Sequence, residues 1–152
     1  MEIHEGRGWR LRIDPQRRPY GALIGGDLWA VELRPRELLA LQRAVARLEA
    51  QYLQLQPTLM ADEALDLELD LELEPEATAA SGPAGPPDRA GCLHVALTAA
   101  AGGWALRFVL MPTDGARAVE GGWSAAASPA LAAALAGLPA SLASVAAPPP
   151  PC

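Results

Sequence analysis

The stretch PRELLALQRAVARLEAQYLQLQPTLMADEALDLELDLELE, residues 35–74, changes its hydrophobic period partway along. Leu38, Leu41, Val45, Leu48, Tyr52, Leu55 and Leu59 recur at alternating steps of three and four, which is one face of a long helix. Leu65, Leu67, Leu69, Leu71 and Leu73 then alternate with Asp66, Glu68, Asp70, Glu72 and Glu74, a strand with one apolar and one acidic face. Each apolar face must be covered, so the chain reads as a packed α+β domain. Pro35 suits the first helical position, and Glu37 suits the positive end of the helix dipole. The helix is expected over about 36–60, roughly 37 Å long at 1.5 Å per residue. Pro57 should kink it or stop it early, because proline lacks the N–H the last turn needs. That length exceeds what a small sheet requires, so the far end is expected to overhang an edge or reach another subunit.

Upstream, residues 8–13 alternate, with Trp9, Leu11 and Ile13 on one face and Arg10 and Arg12 on the other. The run Asp14-Pro15-Gln16-Arg17-Arg18-Pro19 breaks that strand. Residues 20–24 and 28–33 read as a hairpin around Gly25-Gly26-Asp27. Downstream, 75–91 is rich in Pro and Gly and poor in large apolar residues, the composition of a disordered insert. Strands are expected over about 92–98, 104–111 and 117–123. An Ala-rich helix follows from about 129, interrupted at Pro139 and continuing weakly to about 145. Residues 146–152 form a low-complexity, Pro-rich tail expected to be disordered.

The fold expected is therefore α+β: an antiparallel sheet of about seven strands in two sheet-plus-helix units. The long helix (about 36–60) and the Ala-rich C-terminal helix (about 129–145) pack on one face, in a single domain over 1–145. Gly25-Gly26…Pro35…Leu38 is loosely echoed by Gly121-Gly122…Pro129…Leu131, which suggests a duplicated unit.

With 152 residues the chain can bury a core without disulfides. All twelve basic residues are Arg, a skew that fits GC-rich coding better than function. The formal charge of −6 is uneven: residues 1–50 carry nine Arg against seven acids, and 51–152 carry three against eleven. A basic site is possible on such a protein, although its overall field repels polyanions. Cys92 and Cys152 form no disulfide framework, and a terminal Cys152 does not fit a prenylation motif. There is neither a signal peptide pattern nor an apolar run long enough to span a bilayer. The expected location is cytoplasmic.

Arg7, Arg10, Arg12, Arg17 and Arg18, close to Trp9 and Tyr20, form the strongest local signal. Guanidinium groups bind phosphates and flat rings stack bases, as a single-stranded nucleic-acid site needs. Alternation places Trp9 with Leu11 and Ile13, and the same reasoning turns Trp29 and Trp104 inward, leaving Tyr20 the freer ring. The competing reading of the arginines is solvated charge paired with nearby acids. The carboxylates of 66–74 share a face, but successive ones lie about 6.6–6.8 Å apart, too far for neighbours to chelate one ion. A solvent face or a charged edge strand accounts for them, with a cross-strand match to Arg10, Arg12 or Arg107 neutralising part of it. His4 and His94 are isolated, and His94 reads as a strand-surface residue. No metal site, phosphate loop or nucleophile elbow is found, and no cofactor is implied. An enzyme is not expected.

Gly6-Arg7-Gly8-Trp9-Arg10-Leu11, Tyr20-Gly21-Ala22-Leu23-Ile24-Gly25-Gly26, Trp29-Ala30-Val31-Glu32-Leu33 and Glu120-Gly121-Gly122-Trp123 resemble signature segments of an uncharacterised cyanobacterial family, domain of unknown function 1818. Leu59-Met60-Ala61-Asp62-Glu63 is similar to that family's helix exit, and the resemblance covers about 6–138. The chain departs from the family at the 75–91 insert and the tail. The resemblance implies a fold like that of single-stranded-DNA-binding transcriptional regulators of the whirly and positive-cofactor-four type, although fold does not carry function with it.

Two roles follow. One is a non-catalytic binder of single-stranded DNA or RNA with a regulatory role, using Arg7, Arg10, Arg12, Arg17, Arg18, Tyr20 and Arg107. The other is a protein-interaction or assembly module on the same fold, engaging a protein partner through the long helix; either could act as a homo-oligomer. An electropositive groove on the uncovered sheet face would favour the first role, and an acidic or neutral face the second.

Overall fold

A computed structural model describes residues 1–73, 91–112 and 117–139. Four strands, β1 (Glu2–Gly6), β2 (Trp9–Ile13), β3 (Ala22–Gly25) and β4 (Ala30–Leu33), precede the long helix α1 (Pro35–Leu55). Four more follow, β5 (Leu65–Leu73), β6 (Gly91–Ala100), β7 (Gly103–Met111) and β8 (Val119–Trp123), and then α2 (Ser128–Ala136). The strands form two antiparallel meanders in the orders β1-β2-β3-β4 and β5-β6-β7-β8. The same succession of four strands and a helix thus occurs twice.

The described residues hold eight strands, against the about seven expected, in two sheets of four. The strand missed by sequence reading is β1. All five of its residues are exposed, so no apolar alternation marks it; only its backbone pairing with β2 does. The glycine echo does not map onto the repeat. Gly25 ends the third strand of the first unit, whereas Gly121 and Gly122 lie inside the fourth strand of the second.

Helix α1 begins as its sequence dictates. Pro35 occupies the first turn, and the Arg34 N–H donates to Glu37 Oε1 at 2.7 Å, so the carboxylate satisfies a backbone donor at the helix start. Leu38, Leu41, Val45, Leu48 and Tyr52 are buried, the face read from the period. The helix ends at Leu55 rather than about Met60. A 3-10 turn over Gln56–Thr58 contains Pro57, whose missing N–H ends the ladder. Helix α2 closes at Ala136, where the Gly137 N–H bonds Ala133 O at 3.1 Å. The expected extension over 140–145 and the tail at 146–152 lie outside the described residues. So does the insert expected at 75–91, apart from Gly91, which begins β6. No described helix is long and apolar enough to cross a membrane.

One core joins the two units. Helix α1 packs on β5 and β6, α2 packs on β2 and β7, and the helices touch each other. Between them lie Leu11, Ile24 and Leu33 of the first sheet and Leu93, Leu97, Leu106 and Phe108 of the second, all buried. Full burial of each such side chain contributes about 1.5–3 kcal/mol. The hairpin between β3 and β4 drives Trp29 into the second sheet, 5.9 Å from Phe108 and 5.3 Å from Trp123 between ring centroids. Gly121 makes room for it, since a Cβ there would lie 2.6 Å from the indole. The Trp123 indole N–H donates to Gly25 O at 3.0 Å, a second tie between the sheets. Trp104 is buried; Trp9 and Trp29 are partly buried against the same core. Ser128, fully buried, holds the start of α2: its Oγ accepts the Leu106 N–H at 2.9 Å and reaches Trp123 O and Ser124 O.

Candidate functional site

With the helices on one side, each sheet turns its other side outward. On the first sheet the register Ile3–Arg12–Leu23–Glu32 forms one outward row, and Glu5–Arg10–Gly25–Ala30 the next. Arg10 is committed to the fold. Its Nε donates to Gly26 O at 3.2 Å and its Nη2 to Trp29 O at 3.3 Å, clamping the hairpin tip that carries Trp29 inward. Arg17 pairs with Glu32 at 2.6 Å. The Arg34 guanidinium lies 5.7 Å from the Tyr20 ring centroid, within range of a cation–π attraction.

Arg12, Arg17 and Tyr20 come together around one small depression, but Asp14 and Glu32 line it as well. Two guanidiniums share the lining with two carboxylates and Met1, so the arginines there are matched by acids. Arg7 sits in the turn between β1 and β2, made possible by Gly8 at φ +86°. Arg18 lies in the loop after β2, and Arg107 is on the other sheet. None of these three lines the depression. The seven residues singled out in the sequence therefore form no single surface: three converge, one is structural and three stand apart.

The outward side of the second sheet is acidic. Asp66, Glu68, Asp70 and Glu72 of β5 face Thr98, Ala96, His94 and Cys92 of β6, and Glu120 lies on β8 beyond Val109. All five carboxylates are exposed. The expected match of this row with Arg10, Arg12 or Arg107 is not what forms. Among the described residues β5 pairs only with β6, Arg10 and Arg12 belong to the other sheet, and Arg107 is separated from Glu68 by Ala96. The neighbour is His94, which does lie on the strand surface, half-buried. Its Nδ1 is 2.7 Å from Asp70 Oδ1 and its Nε2 3.9 Å from Glu68 Oε1. Burial pushes the Cys92 thiol pKa above its ordinary value, and Asp70 and Glu72 push it further the same way. Among the described residues, no three His, Cys, Asp or Glu side chains are grouped to hold a metal ion.

Sequence reading could not find the Arg10 clamp, because its acceptors are backbone carbonyls 16 and 19 residues away. Nor could it find the groove between α1 and β5, lined by Arg47, Leu48, Ala50, Gln51, Gln54 and Leu69. The alternation in β5 hinted at an edge strand; only the topology places it there.

Residues 4–82 match the family described as domain of unknown function DUF1818. The fold is similar to that of a crystal structure of a protein of unknown function from Prochlorococcus sp. NATL2A, described as from the DUF155 family. The TM-score is 0.66 at 30% sequence identity, covering 89% of this chain and 96% of that one. No curated protein matches the chain.

Proposed function

The chain belongs to the DUF1818 family, and from that premise we propose that it is a non-catalytic protein-interaction module. One observation carries the reading. Among the described residues, the strands of the second sheet's open side present Asp66, Glu68, Asp70, Glu72 and Glu120 against Arg107 and His94, while two arginines of the first unit are engaged within the fold. Arg10 is tied to the hairpin tip and Arg17 to Glu32. A polyanion approaching either sheet meets no continuous positive groove on the described residues, and the net charge of −6 repels it at longer range. A basic protein surface meets the opposite field.

The test is capture from native lysate on the full-length chain, followed by nuclease digestion. The expected result is a partner that survives nuclease and is lost from a chain carrying Asp66→Arg and Asp70→Arg. A partner released by nuclease contradicts the reading.

A second reading, a single-stranded nucleic-acid binder, has its own support: Arg12, Arg17 and Tyr20 share one depression. The twice-repeated order of four strands and a helix also suits the resemblance to whirly-type and positive-cofactor-four-type regulators. On this reading Arg12→Ala weakens oligonucleotide binding, because a phosphate no longer neutralised by a guanidinium keeps its condensed counterions.

A further inference from the structure

We infer that the β5 edge is a strand-addition site for an extended segment of a partner protein in which basic and apolar residues alternate. The inference rests on the interaction-module reading and names the partner's chemistry.

Strand β5 is nine residues long and stands at the end of its sheet; among the described residues it has β6 on one side and no strand on the other. Every second residue of such a strand leaves its backbone N–H and C=O without a sheet partner. The apolar side of β5 is also incompletely covered. Leu65, Leu69 and Leu71 are only partly buried, whereas Leu93, Val95 and Leu97 of the adjacent β6 are at most 2% exposed. Beside Leu69 runs the groove between β5 and α1, lined from the helix by Arg47, Leu48, Ala50, Gln51 and Gln54. The inward side chains of one more strand would fall into this groove. Among the described residues, the incomplete cover, the groove and the edge without a strand neighbour coincide at one place in the sheet.

The acidic row decides what can fill it. Residues directly opposite each other on neighbouring strands share a face. An added strand that puts apolar side chains beside Leu67, Leu69 and Leu71 therefore puts its alternate residues beside Asp66, Glu68, Asp70 and Glu72. Basic residues at those positions are favoured. A second copy of β5 is not, because keeping leucine beside leucine forces carboxylate beside carboxylate. The charges that guard the edge against self-association select a basic partner.

The test uses the full-length protein and a fluorescent nine-residue peptide alternating Arg and Val, followed by anisotropy at low salt. Saturable binding is expected, weakened at least about tenfold by Asp66→Arg with Asp70→Arg, since repulsion replaces attraction at two positions. The decisive arm leaves the protein unchanged. Of two peptides, one N-methylated at its Arg amides and one at its Val amides, one should lose at least about tenfold in affinity at identical charge, because pairing needs the amides on one edge only. Binding indifferent to both methylations, or none at low salt, overturns strand addition. A dimer of the chain that the unmethylated peptide dissociates also overturns it, because the edge would then serve a second copy. These failures leave the interaction-module reading standing as long as the nuclease-resistant partner is captured; loss of that partner to nuclease defeats the reading itself.

Discussion

Arg10 illustrates how a side chain marked for one task serves another. Placed on the outer face of β2 among other arginines, it has the look of a phosphate ligand. In the fold it donates to two carbonyls of the hairpin that delivers Trp29 to the second sheet. Charged donors to backbone carbonyls contribute more than neutral ones, but this one is partly solvated, so Arg10→Ala should cost roughly 1 kcal/mol in urea unfolding. Arg12→Ala, on the same face, should stay within about 0.5 kcal/mol. Equal small losses from both would contradict the clamp. Cys92 gives a pH signature. Its thiol pKa is raised by burial first, then by Asp70 and Glu72, so the folded protein holds the proton where the unfolded chain releases it. That contribution to stability is complete below the unfolded-state pKa and is lost as pH rises through the folded one. Alkylation of Cys92, read by peptide mass mapping, should therefore reach its half-maximal rate at higher pH in the native protein than in urea. Asp70→Asn should close part of that gap; an unchanged or reversed order of the two midpoints would contradict the assignment.

The elements differ in how openly the sequence declares them. Helix α1 declares itself because the large members of its buried face, Leu38, Leu41, Val45, Leu48 and Tyr52, repeat at the helical period. Leu41→Ala on that face, 1% exposed, should cost about 2–5 kcal/mol. Leu53→Ala, 56% exposed, should cost under about 0.5 kcal/mol. Urea titration separates the two, and similar costs would mean that the helix is rotated from the orientation described. Strand β5 is equally legible, its leucines and carboxylates separating cleanly onto two faces. Strand β1 is not, because an exposed edge strand is held by backbone pairing that leaves no side-chain pattern. The end of α1 fell between. Pro57 announced a break, but helix gave way to 3-10 geometry just before it, because the residues ahead of a proline already lose the regular ladder.

Across the full fold, two meanders and two helices close over one core, leaving two outward sheet faces of different charge. The composition foretold the acidic half; it could not foretell that Arg10 and Arg17 of the basic half would be engaged within the fold. Arg17–Glu32 and Arg10 with the hairpin tip join segments whose proximity is created by the fold. Local sequence therefore overstated the available positive charge. The acidic row of β5, for which the sequence offers a solvent face or a charged edge strand, is exposed and, among the described residues, lies at the end of its sheet, yet its neighbour His94 follows from strand register alone. On the interaction-module reading proposed above, outward faces of this kind receive a basic protein segment and not a nucleic acid. Electrophoretic titration of the full-length chain with single-stranded DNA and RNA oligonucleotides, across a series of salt concentrations, puts that distinction to the test. No retarded complex is expected even at the lowest salt. A complex whose affinity falls steeply with salt, as release of several counterions requires, would contradict it.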